Sequence, residues 1–311
     1  MPDLAPSLPM FKAAKEKRFA IPALNANGNI ITDALVEAAY RKDSPVLLQA
    51  SQGAIKHAGQ GDPFRGTKMI VDMTTDAMIN RPGIPVALNL DHGQDPVQNA
   101  LCFRLGFTML MFDGSKMPLE ENISNAKMIV EMAKAVPGIA VEVEIGRIGA
   151  LADSDEPGVA IEEMKQYWTK PEEIAQLAKE SGAHLFAVAM GQIHGCREPI
   201  AEIDFDLFEE CIQAVEAVRD PSEIGFVLHG ASGVKDEDVE RAIIEFGVVK
   251  INVDTKLRQA YMAAYLKYQQ EHPQNIDQRK PECAGHDAVV EVACGLMNLF
   301  GSTNKAQDCI A

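Results

Sequence analysis

The sequence predicts an α/β protein: a (β/α)8 (TIM) barrel, one domain spanning residues 1–311, with a C-terminal helical extension. Three observations lead there. Eight short apolar, β-branched runs are bounded by turn residues. Amphipathic segments separate them, so strand and helix alternate as in a parallel sheet. Polar residues gather at one end of every run, and in a parallel barrel the carboxyl ends of all strands share one rim, where active sites are built.

In chain order the strands are expected near Ala20 to Leu24, Val46 to Ala50, Val86 to Leu90, Met109 to Phe112, Ala140 to Val143, Leu185 to Ala189, Phe226 to Leu228 and Val248 to Ile251. Segments such as IITDALVEAAYRK, PVQNALCFRL, EENISNAKMIVEMAKAV, KPEEIAQLAKES, FDLFEECIQAVEAV and DEDVERAIIEF have the spacing of helices that bury one face. The last barrel helix should begin near Lys256. KYQQEHPQNIDQRKPECAG then reads as a polar connection to a closing helix, AVVEVACGLMNLF.

With 311 residues and 47% hydrophobic content, the chain can bury a large core. It lacks an apolar run near 18 residues and a charged-then-apolar leader, which predicts a soluble cytoplasmic protein with no membrane partner. Six cysteines without a CxxC pair fit reduced thiols. A formal net charge of -16 and no dense Lys/Arg run argue against nucleic acid. An anionic substrate would need local positive charge from a metal and backbone N–H groups.

Three histidines close three of the apolar runs, each followed by glycine: His92-Gly93, His194-Gly195 and His229-Gly230. One histidine at a strand end is usually a satisfied polar residue, the expectation for His57, His184, His272 and His286. Three imidazoles reaching one rim can hold a divalent cation and leave a position open for substrate. Asp91, directly before His92, could donate and accept a proton beside that cation, or merely cap the next helix. HGASG (229–233) and the end of KINVDT (250–255) expose small residues and a helix amino terminus, so Gly230, Ser232, Asn252, Asp254 and Thr255 suit an anion. Lys250, two before Asn252, should face the barrel interior, as a Schiff-base lysine or in a buried salt bridge.

The fragments QASQGA, LDHG, GFTMLMFDGS, EENI, VEVEIG, AVAMGQIHG, LHGASGV, KINVDTKLR and FGSTNKA, in this order, resemble the class II, metal-dependent fructose-bisphosphate aldolases and their tagatose-bisphosphate relatives. The resemblance implies that His92, His194 and His229 bind zinc, with cobalt an alternative, that a monovalent cation takes part, and that Asp91 serves the C4 oxygen as acid and base. It makes Glu144 an alternative ligand or an acid just behind the metal. It gives Gly195, Gly230, Ser232, Asp254 and Thr255 to the phosphate of dihydroxyacetone phosphate, Asn25 to the enediolate, and Ser51 and Arg279 to the other end of the sugar, with Arg279 reaching a neighbouring subunit of a homodimer or homotetramer.

Three departures bear on the substrate. The family's loop glutamate falls on Ala152, leaving Asp153, Asp155 or Glu156 as replacement bases or as a solvated acidic loop. Cys196-Arg197 stands where Tyr-Lys is usual, and Asn89 where histidine often precedes the LDHG leucine. The expected activity is metal-dependent retro-aldol cleavage of a ketose 1-phosphate or 1,6-bisphosphate. The alternatives are an aldolase for tagatose bisphosphate or another anionic-tailed sugar, and a catalytically weak structural or regulatory barrel, which Ala152 motivates.

Overall fold

The computed structural model describes residues 2–151 and 159–310. Among them, eight parallel strands close a barrel: β1 (Ile21–Asn25), β2 (Val46–Ser51), β3 (Val86–Asp91), β4 (Met109–Asp113), β5 (Ala140–Ile145), β7 (Leu185–Val188), β9 (Gly225–Leu228) and β10 (Val248–Val253). Each pairs with its neighbours in the chain, and β10 returns to β1. A separate ladder pairs β6 (Gly149–Ala150) with β8 (Ile193–His194). Most strands run one or two residues further than their apolar stretches. Asn25, Ser51, Asp91 and Asp113 are strand-final residues, their backbones still held in the ladder while their side chains meet the rim.

The helices are α1 (Ser7–Lys17), α2 (Asn29–Lys42), α3 (Gln52–Ala58), α4 (Pro63–Ala77), α5 (Pro96–Arg104), α6 (Leu119–Ala133), α7 (Pro171–Ser181), α8 (Phe205–Glu216), α9 (Asp236–Ile244), α10 (Thr255–Glu271) and α11 (Arg279–Leu299). Strand residues of one parity bury Leu24, Leu48, Leu88, Leu110, Val141 and Phe186 under these helices. Those of the other parity fill the lumen with small and medium side chains, among them Ala23, Leu47, Ala87, Met109, Ala140, Leu185, Ala187 and Val227.

α1 closes the floor. Its Met10, Phe11, Ala13 and Ala14 pack onto this inner cluster. The Ser7 hydroxyl donates to the Thr108 carbonyl (2.6 Å) and accepts from the Ala140 amide (3.0 Å), pinning the helix to the amino ends of the strands. The opposite mouth is left for chemistry.

Two sequence expectations are corrected, and one strand carries an irregularity. KYQQEHPQNIDQRKPECAG is largely helical: α10 runs to Glu271 and α11 begins at Arg279, with Pro281 in its first turn, where no backbone N–H donor is needed. The run LFAVAMGQIH is two strands. β7 ends at Val188, the chain turns through Gly191 at φ 121°, and His194 rides on β8 outside the barrel ladder. The register of β10 also slips at Val249. The irregularity between Val248 and Lys250 leaves Val249 in the lumen cluster yet turns Lys250 and Asn252 inward as well.

Candidate active site

His92, His194 and His229 meet at the mouth of the lumen, each at most 6% exposed, with ring nitrogens mutually within 4.8 Å. The His194 and His229 rings lie parallel, 6.3 Å between centroids, and His92 stands edge-on to both. His92 follows β3 in a left-handed conformation (φ 47°), which turns its ring back over the strand ends instead of out with the loop.

The outer nitrogens of two rings face carboxylates. His92 Nδ1 lies 3.2 Å from Asp113 Oδ2 and 3.3 Å from Glu144 Oε2, and His229 Nε2 lies 2.7 Å from Glu142 Oε1. Their inner nitrogens, His92 Nε2 and His229 Nδ1, face each other at 3.1 Å. A ring that gives its outer N–H to a carboxylate keeps a lone pair on the inner nitrogen. Two inner lone pairs at that distance require a positive charge between them, a proton or a metal cation. Burial disfavours charging His92, but Glu144, Asp113 and Asp91 outweigh it and raise its proton affinity well above the usual histidine value. A divalent cation would feel the same field. Buried nitrogen donors, outer carboxylate partners and ligand spacing all fit a metal.

Asp91 is 2% exposed and does not cap α5, whose cap is Asp95. Instead Asn25 Nδ2 donates to one of its oxygens (3.0 Å) and Asn252 Nδ2 to the other (3.1 Å). Asn252 Nδ2 also lies 3.2 Å from His229 Nδ1, so one amide ties Asp91 to the histidine cluster. The lumen cavity is lined by Asn25, Asp91, the three histidines, Gly195, Gly230, Ser232, Asn252, Asp254 and Thr255. Gly230 is left-handed (φ 63°), and Ser232 and Thr255 sit at the amino terminus of α10, where Ser232 Oγ accepts from the Lys256 amide and the positive end of the helix dipole favours an anion. Asp254 accepts from Asn27 and pairs with Arg258.

Other expected residues fall elsewhere. Ser51 caps α3 by accepting from the Ala54 amide and lines the adjoining cleft with Asn25, Lys56, His57, Arg65, Asp254 and Arg258. Arg279 is exposed at the start of α11, paired with Asp277, and does not line the cavity; nor does Arg197. Glu144 lies behind His92. Gly93 is required by close packing, since a Cβ there would sit 2.6 Å from the Met111 carbonyl oxygen. Ala152, Asp153, Asp155 and Glu156 lie outside the described residues; next to them, the Ala150 amide donates to the Val159 carbonyl and the Leu151 amide to the His194 carbonyl. Lys250 is fully buried and ion-paired with Glu142 at 2.7 Å, the arrangement of the expected buried salt bridge, and it does not line the cavity.

The sequence reading missed Gln49 and Glu142. Gln49 donates to Asn25 Oδ1 (2.7 Å) and lines the cavity from mid-strand. Each is a polar residue inside an apolar run with lumen parity, VLLQAS and AVEVEI, and that parity was the available signal.

Fold and cavity together define a barrel enzyme whose site can hold a metal cation. The chain belongs to the class II fructose-bisphosphate aldolase family: the family model described as fructose-bisphosphate aldolase class-II matches residues 6–305. It is 33% identical to a fructose-bisphosphate aldolase of Thermus caldophilus, covering 97% of this chain and 100% of that one. It is 30% identical to a sulfofructosephosphate aldolase of Alkalicoccus urumqiensis, covering 96% of each. Among solved structures it is similar to the YdjI aldolase of Escherichia coli K12 (27% identity, TM-score 0.76, covering 97% and 99%). It is also similar to a putative fructose-1,6-biphosphate aldolase of Coccidioides immitis (28% identity, TM-score 0.78, covering 97% and 98%).

Proposed function

We propose that the chain cleaves a ketose 1-phosphate or 1,6-bisphosphate to dihydroxyacetone phosphate and an aldehyde, as one cytoplasmic barrel domain within a homodimer or homotetramer. The observation that carries this reading is the meeting of three buried histidines with Asp91 in one cavity. His92, His194 and His229 would hold a zinc ion, which when bound supplies Lewis acidity toward the oxygens of the ketose. Asp91 takes the proton of the C4 hydroxyl as the C3–C4 bond breaks, and returns it in the condensation direction. Asn25 and Asn252 each occupy one lone pair of that carboxylate and so hold its orientation. Backbone N–H groups around Gly195, Gly230 and Ser232, with the Thr255 hydroxyl and the α10 terminus, hold the 1-phosphate. Asp254 fixes Asn27 and Arg258 beside it. Asp153 is assigned the C3 proton. Ser51 faces the far end of the sugar, and Arg279 serves the site of a neighbouring copy.

A second reading concerns the tail of that sugar. The cleft that shares Asn25 and Asp254 with the lumen is lined by Lys56, His57, Arg65 and Arg258, and Asp254 is its acid. In a chain of net charge -16 this cleft favours an anionic tail, a sulfonate as well as a phosphate. A retro-aldol assay on fructose 1,6-bisphosphate, tagatose 1,6-bisphosphate and a sulfofructose phosphate, with metal content measured on the same sample, tests both readings. About one zinc per chain and turnover of at least one of the three are expected. Turnover of none of them by the metal-loaded protein would overturn the reading.

A further inference from the structure

We propose that Glu142 is a positioning residue of the metal centre: held by Lys250 across the lumen, it fixes the His229 ring in the tautomer whose inner nitrogen can bind a cation. This rests on reading the three histidines as a metal site.

Glu142 projects from β5 and Lys250 from β10, strands separated around the barrel by β7 and β9, so their ion pair spans the lumen. Both are fully buried. The two oxygens of Glu142 are divided between two donors: Oε1 takes His229 Nε2 (2.7 Å) and Oε2 takes Lys250 Nζ (2.7 Å). An ionised carboxylate accepts at both oxygens, so both donors are satisfied at once. With its proton held on Nε2, His229 presents a lone pair at Nδ1, the nitrogen 3.1 Å from His92 Nε2 and 3.2 Å from the Asn252 amide donor. Lys250 takes its inward place just past the register slip at Val249, two residues before the inward Asn252. A bulge and a buried ion pair in one lumen thus converge on the orientation of one imidazole.

An amide at position 142 would break the arrangement by a specific route. It has one acceptor oxygen, and the charged Lys250 ammonium competes for it more strongly than a neutral imidazole N–H. The NH2 group then faces His229 Nε2, which must become an acceptor, and the ring proton moves to Nδ1, toward the cation position. Removing Lys250 as well frees the amide oxygen for His229 and restores the original tautomer. A residue that only fills the core would show no such rescue.

The test has two readouts. In metal-free, 15N-histidine-labelled protein, long-range 1H–15N correlation reports the His229 tautomer, assigned against a His229→Asn sample. Competition between the protein and a chelator for Co2+ reports affinity. Wild type is expected as Nε2–H. Glu142→Gln should shift to Nδ1–H and bind Co2+ roughly ten- to a hundredfold more weakly, and Glu142→Gln/Lys250→Met should recover much of that loss. A wild-type ring protonated at Nδ1 overturns the proposal even if neither variant folds. So does a Glu142→Gln affinity within about twofold of wild type, or a double variant no better than the single. Failure of wild type to bind Co2+ would overturn the metal reading itself, a separate result.

Discussion

Asp91 lies between two amides that satisfy both its oxygens, so its position does not depend on a metal. Asp91→Ala should therefore retain its metal while turnover falls by roughly 10²-fold or more, the scale of a lost general acid and base. Metal analysis beside steady-state kinetics checks it, and near-normal turnover would remove Asp91 from the mechanism. His184 shows the opposite use of a histidine. Its Nδ1 accepts from the Val141 amide at 3.1 Å, which requires the neutral ring. Burial, then the Arg219 charge, push its pKa down to about 4. The folded value lies below the unfolded one, so the unfolded chain takes up the extra proton and stability falls as pH drops from about 6.5 toward 4. His184→Asn keeps an acceptor without titrating, and its urea midpoint should decline less over that window than that of wild type. Equal declines would exclude His184 as a source of acid sensitivity.

The strand ends were readable because each apolar run stops at a polar residue, and parallel strands bring those stops together; Asn25, Asp91 and the residues after β9 and β10 were found this way. What escaped depends on pairing. Val248 and Val249 look alike in sequence, so nothing there announces a register slip, and Glu142 looks like Glu144 until the lumen shows which donor each one meets. His194 was placed at the right rim on the wrong strand, because AVAMGQIH has no charged break to mark the turn at Gly191. The β6–β8 ladder then joins Gly149 and Ala150, shortly before Asp153, Asp155 and Glu156 in the sequence, to the backbone of His194. If one of these three acids takes the role that the resemblance gives to a glutamate at position 152, its Ala replacement should slow hydrogen exchange at the hydroxymethyl carbon of dihydroxyacetone phosphate while sparing its binding. Unchanged exchange in all three would return the role to Glu144 or to solvent.

At the scale of the molecule, Arg279 is exposed and outside its own chain's cavity, although the resemblance gives it to the substrate. If it serves a neighbour, Arg279→Ala and Asp91→Ala chains, each poorly active alone, should complement when mixed and allowed to exchange subunits. In a random dimer mixture roughly a quarter of sites would combine an intact Asp91 with a partner's intact Arg279. Activity no greater than the sum of the separate variants would confine Arg279 to its own chain. No helix among the described residues is long and apolar enough to cross a membrane.

The barrel is sealed where the first strand meets the last, β1 against β10. During synthesis the two emerge roughly ten to fifty seconds apart, at the usual 5–20 residues per second. Until then the nascent chain carries α1 with its Met10 and Phe11 face unsatisfied, and holds His92 and His194 without His229 or Lys250. On the proposed metal reading, acquisition of the cation would thus be a late event in the life of the polypeptide. A ribosome-bound chain halted before residue 225 would have two of the three imidazoles and no closed lumen in which to set them, so loading with metal would report completed folding.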